Sequence, residues 1–148
     1  MSRKSGKIAE RIAAFQGGAV AAHFLGYFDC FNQQLFYEAH DVLEELWLPD
    51  RRGPNGDFYK GLIQLAGAFV HLQKERLRPA AALFKLARTN LTKYPRQHEQ
   101  LDLTVVLAVI ETWLAWLENG GFIRNPLREH PAPVLILLPG FRGWPAVD

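Results

Sequence analysis

The chain has 148 residues, 49% of them hydrophobic and 22% charged, with four Trp and ten Phe. That much apolar mass in a domain-sized length builds a real core and excludes disorder, which needs low hydrophobicity and high net charge. Lys plus Arg is 17 and Asp plus Glu is 15, so the formal charge is only +2; no strongly basic face is implied, and nucleic acid is not an expected partner.

The single cysteine, Cys30, excludes an internal disulfide framework and a Cys-rich zinc site and suits a reducing cytosol. The basic start of the chain is interrupted by Glu10 and Arg11 before any apolar run begins, and the stretch after Gly17 lacks the small residues of a cleavage site. Leu103 to Leu117 is the longest apolar segment, but Glu111 and Thr112 break it, and it falls short of the roughly 20 residues of a membrane span. It is expected as a core helix. The expected location is cytoplasmic, with no membrane partner.

Helical spacing runs through almost the whole chain. A first segment, about 5 to 16, places Ile8, Ile12 and Phe15 on one side and ends at Gly17-Gly18. A second, about 19 to 32, carries Val20, Phe24, Tyr27, Phe28 and Phe31, and Asn32-Gln33-Gln34 turns into a third, about 35 to 48, which Pro49 stops. Residues 50 to 56 (DRRGPNG) form the clearest loop. A fourth helix is expected from Asp57, as N-cap, to Arg76. A fifth begins near Pro79 and ends before Pro95. A sixth runs from about 98 to Asn119 and closes at Gly120-Gly121. No stretch alternates convincingly with period two. The pattern is that of an all-α single-domain bundle of five to six helices over residues 1–124.

Residues 125–148 differ. Five prolines (Pro126, Pro131, Pro133, Pro139 and Pro145) forbid a long helix, and Val134-Leu135-Ile136-Leu137-Leu138 stands bare between two of them. Such a run must be buried, either on its own bundle or on a partner subunit, and this is the ground for expecting a homo-oligomer.

One polar cluster needs explaining. On a wheel of the third helix, His40 falls among Phe36, Leu43 and Trp47, with Glu44 and Tyr37 on its other flank, while Glu38, Asp41 and Glu45 lie on the expected wet face. A His and a Glu inside or beside an apolar arc are costly unless partnered, and His40 and Glu44, spaced i, i+4, can satisfy each other. On the fourth helix Lys60, Gln64, Gly67 and His71 share a stripe, which is either solvated or packed on the third helix, with Gly61, Gly67 and Ala68 permitting close approach.

The string Phe31-Asn32 followed by Phe36-Tyr37-Glu38-Ala39-His40-Asp41-Val42-Leu43-Glu44-Glu45-Leu46-Trp47 resembles the bacterial and archaeal family known as domain of unknown function 309, whose pattern is close to F-N-x-x-x-[FY]-[FY]-E-A-H-E-x-L-E-x-x-W. Lys60-Gly61-Leu62-Ile63-Gln64-Leu65-Ala66 and His71 are similar to that family's G-L-I-Q-x-A with a downstream His. The resemblance covers about residues 28 to 95. It departs at Asp41, where Glu is usual, and at Pro79-Ala80, where members have Gly-Ala. It implies a small all-helical fold, similar to one grouped with hyaluronidase post-catalytic domains, and it implies no activity. The residues it carries over are Glu38, His40, Glu44, Trp47, Gln64 and His71.

Three chemistries compete with a purely structural network across two helices. His40, Glu44 and His71 are the candidate ligands of a divalent metal, which would make a metal-dependent hydrolase-like enzyme; no His-Glu-x-x-His segment accompanies them. His40 as base with Glu44 as its orienter is a metal-free alternative, with no nucleophile in motif context. A small-molecule or peptide pocket lined by Tyr37, Trp47 and the polar pair is the third. Arg76, Arg78, Lys85, Arg88 and Lys93 form a basic approach without interleaved aromatics, the pattern of a solvated face. The leading expectation is a non-enzymatic interaction or scaffold module with no cofactor.

Overall fold

The computed structural model describes residues 19–139. The expected helix at 5 to 16 and the final prolyl, Pro145, lie outside the described residues. Within them are five α-helices: α1 (Ala19–Asn32), α2 (Phe36–Trp47), α3 (Gly56–Gln73), α4 (Leu77–Leu91) and α5 (Leu103–Asn119), with short 3-10 turns at Leu48–Asp50 and Pro126–Arg128. The only strands there are two residues each, β1 (Gln97–His98) and β2 (Leu101–Asp102), paired antiparallel. The fold is an all-α bundle, in which consecutive helices α1 to α4 pack as neighbours.

Aromatic residues at helical spacing set the arrangement. Phe24, Tyr27, Phe28 and Phe31 give α1 one buried face. Their rings meet Phe36 of α2 and Phe58, Tyr59 and Phe69 of α3 largely edge to face, the geometry ring quadrupoles favour. Phe69 is the hub: its ring centroid lies 4.9 Å from Phe36, 5.6 Å from Phe31, 5.3 Å from Phe84 and 4.9 Å from Trp113. One side chain thereby joins α1, α2, α4 and α5. The buried Tyr27 hydroxyl donates to the Leu62 carbonyl at 2.6 Å, and burial raises its pKa. Cys30 is buried within the same cluster and forms no disulfide.

Three local features differ from the sequence expectation. Asp57 is not the N-cap of α3; it lies inside the first turn and pairs with Lys93 at 2.8 Å. The orphan N–H of Phe58 is instead accepted by the Tyr94 hydroxyl at 2.9 Å, which donates in turn to the Pro54 carbonyl. The first turn of the expected sixth helix is replaced by the β1–β2 hairpin, with Glu99 and Gln100 both at positive φ (51° and 61°). Two residues per strand are too few to show alternation, and Glu-Gln lacks the Asn-Gly signature such turns favour. Asp102 then caps α5, accepting from Thr104 N–H at 3.0 Å. Finally, α5 is a core helix on one side only: Val106, Ile110, Trp113 and Leu117 are buried, while Val105 is 53% exposed.

The chain after α5 is tied down by asparagine side chains. Asn125, itself buried, donates to the Leu72 carbonyl at the end of α3 and to Glu75, and accepts from Leu127 N–H. Asn32 grips Leu135 at two points, donating to its carbonyl and accepting from its N–H, each at 2.8 Å. Leu135 and Leu137 are buried while Val134 and Ile136 face outward, so the segment runs extended. His130 stacks flat on Trp116, with centroids 3.6 Å apart. No helix among the described residues is long and apolar enough to cross a membrane.

Candidate functional site

Tyr37 and His40 of α2, Ile63, Gln64, Gly67, Val70 and His71 of α3, and Leu83 of α4 surround one cleft of about 210 Å³. Four of the seven residues singled out by sequence, Tyr37, His40, Gln64 and His71, therefore line one concavity. The Gln64–Gly67–His71 stripe is a cleft wall rather than a solvated face; only its neighbour Lys60 is exposed. Glu44 stands at the margin, its Oε2 4.0 Å from His40 Nε2. Glu38 and Trp47 do not line the cleft. The Trp47 indole Nε1 is buried without a hydrogen-bond partner elsewhere on α2.

The small residues of α3 act differently from the sequence expectation. A Cβ at Gly61 would meet Leu91 carbon atoms at 2.8 Å, and one at Gly67 would meet Leu83 at 3.1 Å. They therefore admit α4, not α2. The cleft lies where Tyr37 and His40 of α2 face the close-packed pair α3 and α4. Its hydrophobic walls are Ile63, Val70 and Leu83.

Three polar groups face this apolar space in different states. His40 Nδ1 lies 3.2 Å from Asp41 Oδ1 and its Nε2 lies 4.0 Å from Glu44 Oε2, so a carboxylate stands at each ring nitrogen. Asp41 is only 5% exposed, although the wheel put it on the wet face. The wheel assumed one wet side, but α2 is sandwiched between α1 and α3, and the flank bearing Glu45 meets His23 of α1 at 3.4 Å.

Gln64 is fixed from the other side. Its Oε1 accepts from Asn90 at 2.8 Å, the Asn90 oxygen accepts from Lys93 at 3.2 Å, and Lys93 reaches Asp57. This chain orients the amide so that its NH₂ remains for another acceptor. Asn90 was missed in the sequence. Its signal was present: it sits on the α4 face formed by Ala80, Phe84, Ala87 and Leu91, where every other buried residue is apolar. His71 is the third group. Its Nδ1 is buried and has no hydrogen-bond partner, and its pKa is lowered by burial first and then by Arg76 and Lys74.

Among the described residues no three His, Cys, Asp or Glu side chains come together in a geometry that could hold a metal ion. His40, Asp41 and Glu44 are local to one helix, and His71 is not part of a three-ligand set with them. The cleft is lined by no Ser, Thr or Cys. It offers two imidazoles, a phenol and an amide on an apolar floor, which is equipment for hydrogen-bonded recognition. Of the basic residues, Arg88 pairs with Glu111, Lys93 with Asp57, and Arg78 lies 4.4 Å over the Phe122 ring.

No curated protein and no solved structure matches this chain. A family model does match, over residues 24–83, which spans most of α1, all of α2 and α3, and the first part of α4. Over that span, which holds Tyr37, His40, Gln64, His71 and Leu83, the helices that build the cleft are similar to DUF309, a domain of unknown function.

Proposed function

We propose that this chain is a non-enzymatic interaction module whose recognition element is the α2–α3–α4 cleft. The observation that carries the reading is the convergence of Tyr37, His40, Gln64 and His71 on one apolar concavity. The amide NH₂ of Gln64 adds a donor, and the His40 imidazole a second hydrogen-bonding ring, to the same rim. The matching occupant is a small, mostly apolar group ending in a hydrogen-bonding function, such as a peptide side chain or a compact amide or carboxylate. The alternative of a metal-dependent hydrolase on His40, Glu44 and His71 draws no support from the geometry, because the three do not converge.

The test is titration of isotope-labelled protein with N-acetyl amides of the twenty amino acids and with short-chain carboxylates, followed by NMR. Binding in the cleft shifts the amide signals of Tyr37, Gln64 and His71 together, and His71→Leu abolishes the response. Shifts confined to other surfaces, or no shift with any member of the set, would refute the proposal.

A further inference from the structure

The two ends of the cleft differ in charge. Phe36 stacks on Phe69, so the start of α2 lies beside the end of α3, and the short turn between them makes the two helices antiparallel. At a rise of about 1.5 Å per residue, His71 lies about 3 Å beyond that contact in one direction and His40 about 6 Å in the other, roughly 9 Å apart along the bundle. At the His40 end a carboxylate stands at each ring nitrogen, Asp41 at 3.2 Å and Glu44 at 4.0 Å. That end is a poor seat for an anion.

The His71 end is positive. A Schellman turn closes α3: Glu75 takes a φ of 59°, its N–H donates to the Leu72 carbonyl, and the Arg76 N–H returns to the His71 carbonyl at 2.9 Å. The Lys74 N–H donates to the same carbonyl at 3.0 Å. The turn thus brings both cations back beside His71. Burial first, and then Arg76 and Lys74, lower the pKa of its imidazole, so both charges are felt there. Both side chains are exposed, and among the described residues neither makes an ion pair. The carboxylate between them is committed elsewhere: Glu75 accepts from Asn125 at 2.8 Å and from Arg128 at 2.9 Å, and neither of those residues lines the cleft. Helix α4, which follows at once, contains no acidic residue.

Between the two ends Ile63, Val70 and Leu83 offer an aliphatic wall. The volume of about 210 Å³ equals that of about seven water molecules at about 30 Å³ each, which is room for roughly as many non-hydrogen atoms. A short branched acid fills that space and has its one charge at an end.

We infer that the cleft takes an aliphatic carboxylate of about six carbons, with its carboxylate at the His71 end beside Lys74 and Arg76 and its stem on Ile63, Val70 and Leu83. The inference rests on the cleft being the recognition element. It adds the charge of the ligand, its direction, and two recognition residues that do not line the cavity. A free acid and the C-terminal residue of a peptide carry this same chemistry.

The experiment compares isocaproate with isocaproamide, and N-acetyl-leucine with its amide, by NMR titration of the labelled full chain. Hydrogen bonds to an ionised group are about twice as strong as neutral ones, so each acid should bind about five- to tenfold tighter than its amide at low salt. Raising the ionic strength from about 10 to about 150 mM should erode that preference. The Lys74→Gln, Arg76→Gln protein should bind acid and amide alike, and each single substitution should remove part of the preference should the double variant fold poorly. Lys60→Gln, about 16 Å from His71 along α3, should keep it. Tighter binding of N-acetyl-leucine than of isocaproate identifies a peptide C-terminus as the source, and the reverse order a free acid; either supports the inference. Equal binding of acid and amide overturns it while leaving the cleft as the recognition element. A preference lost in Lys60→Gln as fully as in the double variant overturns the assigned direction. Cleft signals silent to all four compounds overturn the inference, and the wider set of N-acetyl amides then decides the cleft reading separately.

Discussion

Replacing Asn32 by Leu removes two hydrogen bonds to Leu135 without changing the size of the side chain much. Neutral hydrogen bonds contribute about 0.5–1.5 kcal/mol each, so the direct loss is about 1–3 kcal/mol. Detachment of the segment sets a ceiling on that loss. Burial of Leu135 and Leu137 is worth about 1.5–3 kcal/mol each, while freeing five residues returns about 1–2 kcal/mol of backbone entropy apiece. Burial thus supplies about 3–6 kcal/mol against about 5–10 kcal/mol of entropy, so it does not hold the segment by itself. Once the two bonds are gone the segment gains little by staying, and the measured cost should settle near 2 kcal/mol, or roughly 4–8 °C in melting temperature for a chain of this length. Urea unfolding at a low, fixed protein concentration measures it. The decisive comparison is a double-mutant cycle with a chain truncated after His130, which lacks the segment altogether. There, Asn32→Leu should cost almost nothing. An equal cost in the full and truncated chains would show that Asn32 stabilises the bundle through some other contact, and the clamp would lose its energetic meaning.

Other outcomes follow from the same structure. His71→Leu should raise stability in urea by about 1 kcal/mol, because it removes a buried atom with no partner; destabilisation would show that Nδ1 is satisfied. Burial, with Arg76 and Lys74, holds the His71 pKa below its ordinary 6.5. The unfolded chain therefore binds the proton first as pH falls, and stability should decline from about pH 6.5 down to the folded value and level off below it, a limb that His71→Leu flattens. Gly61→Ala should destabilise by about 1–3 kcal/mol despite alanine's better helix propensity, since its Cβ meets Leu91 at 2.8 Å; a neutral result would show that α3 and α4 can part at little cost. Protein purified without a His-tag should melt at the same temperature with and without chelator, and a lowered melting temperature would restore the metal reading of His40, Glu44 and His71.

The sequence was legible where one physical signal acted alone. The α1 boundaries follow from four aromatics at helical spacing and a clear polar turn after them. Gln64 and His71 could be placed together because a helix repeats every three to four residues. What pairwise packing decides was harder to read. The α2 wheel misassigned Asp41 because a helix pressed by two neighbours has two dry sides. Gly61 and Gly67 of α3 promised a close neighbour but could not say which, and the neighbour is α4. Asn90 carried its signal on α4 but needed Gln64 opposite it to acquire a role. The β1–β2 hairpin had no signal at all, since Glu99 and Gln100 take positive φ under tertiary constraint rather than from local preference.

The Asn32 clamp also orders events during synthesis. Its two halves are 103 positions apart in the chain, and at about 5–20 residues per second a ribosome needs roughly 5–20 s to make that stretch. The helices from α1 to α5 are complete within that interval, long before Leu135 exists to be held. Asn32 must therefore wait in contact with water while the aromatic cluster closes behind it, and a polar side chain at the end of α1 can do so without cost. A leucine there would be a waiting apolar patch on a nascent protein. The asparagine thus serves the unfinished chain as well as the finished one, keeping open a landing place for the last segment to be made.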